Sequence, residues 1–319
     1  MTTISSPPPS ISPRASGEVR IGLCADTHYW PQSGNLVGGE GNIQLLGESN
    51  RLLSQLTAEL AAADLDLALH LGDFTCGGGY FEMPFCDFLA AVDATHDALV
   101  QLRSPVHGLP GNHDCPPGGG RWIRVEERWG LEPGLGRTID LPHARLVLIN
   151  AQGHSDEQIA AAAPGDPIYG WVNEAELARF ERSLATAGDR PVIIGLHQLL
   201  RPWSMSRPWK DFYAVKNADA VLETMARYNN VCAVFQGHAH RFDVQQSNVG
   251  GRNVWFIIAP AVVEYPLGWL LLTLTPGRLR VQLCSLDMPD LLELTRDAGD
   301  GQAWRAGEAE WRDFTIDLH

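Results

Sequence analysis

The 319-residue chain has no C-x-x-C pair among its six cysteines, Cys24, Cys76, Cys86, Cys115, Cys232 and Cys284. That argues against a thiolate zinc site and reads as buried free thiols in a reducing compartment. No run of 18 apolar residues occurs, so no transmembrane helix is expected. The first 18 residues hold three consecutive prolines and several serines but no apolar block. They read as a disordered leader rather than a signal peptide, and cytoplasm is the expected compartment. Basic residues are scarce: 24 Lys and Arg against 38 Asp and Glu leave a net charge of −14. That balance does not favour a protein whose main work is gripping nucleic acid. The Gly-rich stretches 38–41, 77–79 and 118–120 lack the spacing of a Walker or dinucleotide fingerprint. They read as places where backbone approaches a ligand, or as flexible rims. Neither an internal repeat nor a clear linker is visible.

What is present is a globular composition, 45% hydrophobic and 19% charged. A chain of this size buries a core without help from disulfides or metal. Short apolar runs at 19–24, 67–71, 105–109, 144–151, 191–196 and 231–235 read as buried strands. Between them, leucines at 45, 46, 52, 53, 56 and 60 mark an amphipathic helix over 44–63, and further helices are expected over 85–102, 173–187 and 217–229. Asn173 with Glu176 forms the pattern of a capping box. Residues 242–285 read as strands, with a hairpin turn at Thr275-Pro276-Gly277-Arg278. The alternation predicts an α/β fold with a largely parallel sheet. The expected division is a leader over 1–18, one domain over 19–285 and a polar, acidic tail over 286–319.

The polar residues fall in a positional pattern. Five predicted strands end in groups able to bind metal: Asp26 with His28, Asp73, Asn112 with His113 and Asp114, His197, and His238 with His240. Ligands of open α/β sheets sit at the carboxyl ends of strands, so these scattered residues are expected to converge on one edge. Oxygen and imidazole donors without thiolate argue against structural zinc, and that much imidazole argues against calcium or magnesium. Manganese, iron, zinc or cobalt fit better. Seven ligands suit two ions sharing one anionic bridge, the arrangement that lowers the pKa of a bridging water and clamps both oxygens of a phosphate ester under attack. Each piece has a bland reading, since a Gly-Asp at a strand end is usually a turn and a lone His197 is usually a core histidine; Gly237-His238-x-His240 is more specific, and Gly111-Asn112-His113-Asp114 is the sharpest.

As a set, Asp26-x-His28, Gly72-Asp73, Gly111-Asn112-His113-Asp114, His197 and Gly237-His238-x-His240 resemble the motifs of the calcineurin-like metallophosphoesterases. The resemblance spans 21–241. It implies a four-layer α/β/β/α sandwich of two mixed sheets flanked by helices. It also implies roles: Asp26, His28 and His240 on the first ion, Asn112, His197 and His238 on the second, and Asp73 as the bridge. His113 would assist the leaving oxygen, and Asp114 would orient His113 by a hydrogen bond. The residues after Asp73 are Phe74-Thr75-Cys76-Gly77 and the second motif ends in Asp114 rather than Glu, which argues against a Ser/Thr protein phosphatase. Gln198 stands where many relatives have a second histidine. The pattern is most similar to the bacterial branch of class III cyclic-nucleotide phosphodiesterases and manganese-dependent nucleotide pyrophosphohydrolases. Pro260 to Tyr265 points weakly the same way.

The expected function is a dimetal phosphoester hydrolase, a phosphodiesterase on a small nucleotide-like substrate that attacks with a metal-bridging hydroxide. The alternatives are a phosphomonoesterase or nucleotide pyrophosphatase on the same metals, a non-catalytic scaffold on the same fold, and a nuclease. The expected partner is a small phosphate ester, with no membrane and no nucleic acid; a homo-oligomer stays open. Residues 198–213 read as a substrate loop, with Arg201 and Arg207 to clamp phosphate and Trp203 and Trp209 to stack on a base, assisted by Lys210, Tyr213 and Tyr29. The competing reading of that loop is a cover over core or a subunit contact. His70, His96, His107, His143, His154 and His319 have no motif around them and read as structural or exposed.

Overall fold

A computed structural model describes residues 17–162 and 167–318. Most of the expected leader and His319 lie outside the described residues. The chain begins with β1 (Val19–Cys24), the short strands β2 (Leu36–Val37) and β3 (Ile43–Gln44), then α1 (Ser49–Ala62) and β4 (Leu67–His70). It continues through α2 (Phe85–Leu99), β5 (Val106–Gly108), α3 (Ile123–Arg128), β6 (Arg137–Asp140), β7 (Arg145–Leu148) and α4 (Asp156–Ala161). Then come α5 (Glu174–Ala185), β8 (Val192–Leu196), α6 (Ala218–Ala226), β9 (Val231–Gln236), β10 (Asp243–Val249) and β11 (Arg252–Ile258). The last elements are β12 (Gly268–Thr275), β13 (Arg278–Ser285), α7 (Pro289–Arg296) and β14 (Asp313–Asp317).

The strands form two six-stranded sheets, in the orders β14-β13-β12-β1-β4-β5 and β10-β11-β9-β8-β7-β6. Both are mixed. The neighbours β1-β4-β5 run parallel, as do β11-β9-β8-β7, and the remaining pairs are antiparallel. Side-chain alternation explains the layers. In β8, Ile193 joins the core shared with β1 and β4, while Val192 and Ile194 join a second core with Phe180 of α5 and Val221 of α6. β7 and β9 divide the same way: Leu146, Leu148, Ala233 and Phe235 face the first core, Val147 and Val234 the second. Apolar residues on both faces of a strand require cover on both faces. The outcome is the four-layer α/β/β/α sandwich.

The hairpin at Pro276-Gly277 forms as expected, with Thr275 opposite Arg278 and Gly277 at φ +73°. The expected capping box at α5 is half made. Asn173 accepts from the Glu176 amide at 2.8 Å, but the Glu176 carboxylate turns inward instead of back to its cap. It accepts from the amides of Asn150 (3.0 Å) and Gly136 (3.1 Å) and is held by Arg179 at 2.6 Å. The segment over 286–319 carries α7 and then β14, which pairs antiparallel with β13 at the edge of the first sheet. Among the described residues no helix is long and apolar enough to cross a membrane.

Glu176 is fully buried, so its removal strands one guanidinium and two amides. Glu176→Ala is expected to cost about 3–5 kcal/mol, in line with breaking a buried pair. Urea unfolding checks this against Glu127→Ala on the surface, which is expected to stay within about 0.5 kcal/mol of the parent.

Candidate metal centre

β1, β4 and β5 are parallel neighbours in one sheet, β8 and β9 in the other, and all five deliver their carboxyl ends to one edge. The loops leaving them carry every expected ligand. Asp26, His28, Asp73, Asn112, His197, His238 and His240 are all buried. The ligand atoms of Asp26, His28, Asp73 and His240 lie within 4.8 Å of one another, and those of Asp73, His197 and His238 form a second such group. Asp73 is common to both.

The loops are tied backbone to backbone. The amides of Asp26 and His28 donate to the carbonyls of Gly72 and Asp73 at 2.9 and 3.0 Å, and Gly237 donates to His197 at 2.9 Å. Across the two sheets, the His238 amide donates to the Asp26 carboxylate at 3.0 and 3.1 Å. Packing this close demands glycine. A Cβ on Gly72, which sits at φ +105°, would lie 2.5 Å from the Gly111 nitrogen. Five of the seven ligand-bearing residues have left-handed backbone: Asp26 (φ 56°), His28 (42°), Asp73 (57°), His238 (66°) and His240 (51°). Such conformations are costly for residues with a Cβ and persist where surrounding structure over-determines them, most often at functional sites.

The donor set fits cations. His197 Nδ1 faces the Leu71 carbonyl at 2.8 Å and donates to it. A neutral ring then aims the Nε2 lone pair at Asp73 Oδ2 (3.1 Å) and Asn112 Oδ1 (3.2 Å). His240 repeats the arrangement. Its Nδ1 donates to Glu264 Oε1 at 2.6 Å, and its Nε2 lies 3.0 Å from His28 Nε2 and 3.4 Å from Asp26 Oδ1. Converging lone pairs repel unless a cation sits among them. Burial alone would lower both rings, but Asp73 beside His197 and Asp26 with Glu264 beside His240 prevail and push them up to about 9 and about 10. The Asp73 carboxyl shows the converse: burial would raise it, and the histidines around it, His197 first, hold it well below the usual range. His238 differs from the others, since its Nε2 faces the Phe212 carbonyl at 3.2 Å and Nδ1 is left for the site. The buried Asn112 Nδ2 has no hydrogen-bond partner among the described residues.

Asp73 divides its two oxygens. Oδ1 accepts from the His113 amide at 2.8 Å. Oδ2 stands 3.1 Å from His197 Nε2 and 3.5 Å from His28 Nε2, so a single oxygen belongs to both ligand groups.

Asp114 corrects the sequence reading. Its carboxylate does not reach the His113 ring. Oδ2 accepts from the Asp73 and Gly111 amides at 2.8 Å each, and Oδ1 from the Thr75 amide at 3.1 Å. It locks the Asp73 turn onto the Asn112 turn. The ring of His113 is fixed instead through Nδ1 to the Gly77 carbonyl at 3.3 Å. His70 buttresses the same turn: it accepts from the Gly72 amide at 3.1 Å, and burial lowers it to about 3, so it stays neutral. Burial raises the Cys24 and Cys76 thiols well above their ordinary range, which argues against a nucleophilic role. Cys86 departs from the expectation of buried thiols and is exposed.

A cavity of about 400 Å³ opens over the ligands. Its walls include Gly38 to Glu40 with Asn42 and Gln44, Tyr80 with Phe81, Lys210 with Phe212 and Tyr213, and Glu264 with Arg305. Most of the expected substrate loop does not face it. Trp203 is buried beneath the Arg241 guanidinium, 3.9 Å from the ring centre, and Arg207 lies 4.2 Å over Trp304. Arg201 donates to the Asn248 carbonyl and packs over Phe256, and Trp209 stacks edge-on against Trp203. The Tyr29 hydroxyl donates to Asn50. None of these five residues lines the cavity, while Lys210 and Tyr213 do. Tyr80, Phe81, Asn42 and Arg305 line the cavity without a sequence signal, while Phe212 lies within the 198–213 loop, Glu40 within the Gly-rich 38–41 stretch and Glu264 within Pro260 to Tyr265.

Residues 19–242 match the sequence model of the calcineurin-like phosphoesterases. The chain belongs to that family and is a metal-dependent phosphoester hydrolase built around two metal ions. It is similar to a glycerophosphodiester phosphodiesterase of Enterobacter lignolyticus, 24% identical over 75% of this chain and 76% of that protein. A 3',5'-cyclic adenosine monophosphate phosphodiesterase of Pseudomonas aeruginosa is 24% identical over 74% of this chain and 75% of its own length. Among solved structures, a dimetal phosphatase from Danio rerio shares the fold at a TM-score of 0.67, with 15% identity, covering 94% of this chain and 99% of the other.

Gly72→Ala drives a methyl group into the Gly111 backbone and forbids the left-handed turn that presents Asp73. Elemental analysis of the purified variant is expected to find less than half the metal of the parent. A full complement would show that the turn is not what assembles the site.

Proposed function

We propose that this chain is a phosphodiesterase acting on a small nucleotide-like substrate. Asp26, His28 and His240 would hold one ion and Asn112, His197 and His238 the other, with Asp73 as the carboxylate common to both groups. The observation that carries the reading is Asp73 Oδ2, shared between both ligand groups at the foot of the cavity. When bound, two such ions lower the pKa of a water between them and clamp the attacking and leaving oxygens. Oxygen and imidazole donors suit manganese, iron or zinc.

The chain's own residues supply the rest. The His113 ring is held at Nδ1 by the Gly77 carbonyl, which leaves Nε2 to serve the leaving oxygen. Two aromatic walls run from the ligands to the mouth. Phe81 packs 4.7 Å from His113 and 4.9 Å from Tyr80, while Tyr213 packs 5.4 Å from His238 and 4.4 Å from Phe212. Such rings suit a planar base, and Lys210 beside Phe212 suits an anionic oxygen. The relatives named above, a glycerophosphodiester and a cyclic-nucleotide phosphodiesterase, favour the diester over the monoester. The compartment we propose is the cytoplasm, on the free state of the six cysteines.

The test is a rate comparison on protein stripped by chelator and reloaded with manganese. Bis-p-nitrophenyl phosphate is expected to be cleaved faster than p-nitrophenyl phosphate. The reverse order would make the enzyme a monoesterase. Asp73→Asn and His113→Ala are each expected to lose at least about tenfold in turnover at unchanged fold. Near-parental rates in both would remove the mechanism.

A further inference from the structure

The C-terminal segment reaches the metal centre. Arg305 lies outside the 19–242 match and within a short helical turn over Ala303–Ala306. It is 2% exposed and lines the cavity. Its Nη1 donates to the carbonyl of His240 at 2.8 Å and stands 3.4 Å from Glu264 Oε1, the same oxygen that takes the His240 Nδ1 proton. Its Nη2 pairs with Glu40 Oε2 at 2.6 Å, and its Nε donates to Gln302 Oε1 at 2.9 Å. The Arg305 carbonyl accepts from the Phe242 amide at 2.7 Å. One side chain therefore grips a ligand residue by its backbone, by the carboxylate that orients its ring, and by the far wall of the cavity.

The segment also clamps that wall. Gln302 Nε2 donates to the Glu40 carbonyl at 3.1 Å. Gly41 (φ +72°) and Gly299 (φ +55°) meet so closely that a Cβ on Gly41 would lie 2.9 Å from the Gly299 Cα. Asn42, in the same wall, donates to the second oxygen of Glu264 at 2.5 Å. Glu264 is thus held at both oxygens, and Arg305 compensates its buried charge.

We infer that Arg305 is a positioning residue for His240, fixing through Glu264 and the His240 backbone the ring that serves the Asp26–His28 side of the centre. The inference rests on the dimetal reading above. Buried guanidiniums fully paired in a fork of this kind hold geometry that a flexible ammonium does not. Partners that orient metal ligands typically change metal affinity by about 10–100-fold when removed.

Calorimetric titration of the full chain with Mn²⁺, after chelator treatment, tests it. The parent is expected to take two ions. Arg305→Met is expected to weaken one of them by about 10–100-fold and leave the other unchanged. Arg305→Lys, which keeps the charge beside Glu264, is expected to recover part of the loss. In a His240→Ala background, Arg305→Met is expected to add no further loss, because the residue it positions is gone. Unchanged affinity for both ions in folded Arg305→Met overturns the inference. So does equal weakening of both ions, which marks a merely structural pin. If Arg305→Met does not fold, Arg305→Lys decides: selective weakening of one ion supports the inference, and parental affinities for both overturn it. A parent that takes up fewer than two ions is a different failure, that of the dimetal reading itself.

Discussion

The constraint on which this structure depends is electrostatic. Lone pairs from two carboxylates, an amide and four imidazoles are aimed at one small buried volume, and they repel one another unless cations lie between them. Almost every unusual feature of the fold serves that convergence. Parallel strands from two sheets bring five loops to one edge. The loops then bend through left-handed backbone at Asp26, His28, Asp73, His238 and His240. Gly72 and Gly111 supply the space for two turns to touch. Buried strain and buried charge are both costly. They coexist because amide donors hold the carboxylates in place: His238 on Asp26, His113 on Asp73, and three amides on Asp114.

Asp114 shows how a role changes when the contacts are known. A carboxylate beside a catalytic histidine suggests the pairing familiar from hydrolytic triads. Here it accepts from main-chain amides on both sides of the Asp73–Asn112 junction, and the imidazole beside it leans on a carbonyl. The aspartate does the work of a cap between two turns. Its substitution therefore disturbs the bridge before it disturbs proton transfer.

The candidate metal ligands were legible in sequence because each sits within four residues of a strand end, and a strand end is visible as an apolar run that stops. The cavity was not legible, because its walls come from loops with no periodicity. Tyr80 and Phe81 follow a Gly-rich stretch, Glu40 sits in another, and Arg305 lies in a segment that composition marks only as polar and acidic. The aromatic and arginine residues of 198–209 misled for a physical reason. Arg and Trp recognise phosphates and bases, but they also seal a polar core by stacking. Arg241, buried between Trp203 and Trp304, takes the second use. Composition cannot separate the two, since the same surfaces serve both.

A chain of net charge −14 that acts on phosphate esters must attract an anion while repelling it at long range. The conflict is resolved by distance. At physiological ionic strength exposed charges are screened beyond about 8 Å, so acids scattered over the surface do not set the potential inside the cavity. Within that range Glu40 and Glu264 are answered by Arg305. What remains for an incoming phosphate is the pair of ions and Lys210, one of only two lysines in the chain. Arginines fixed by stacking and pairing hold the wall in shape, while the flexible ammonium at its rim keeps an open set of donors. The division assigns rigidity to the ligands and adaptability to the mouth, which suits a site that must hold one phosphoester geometry and tolerate variation in what is attached to it.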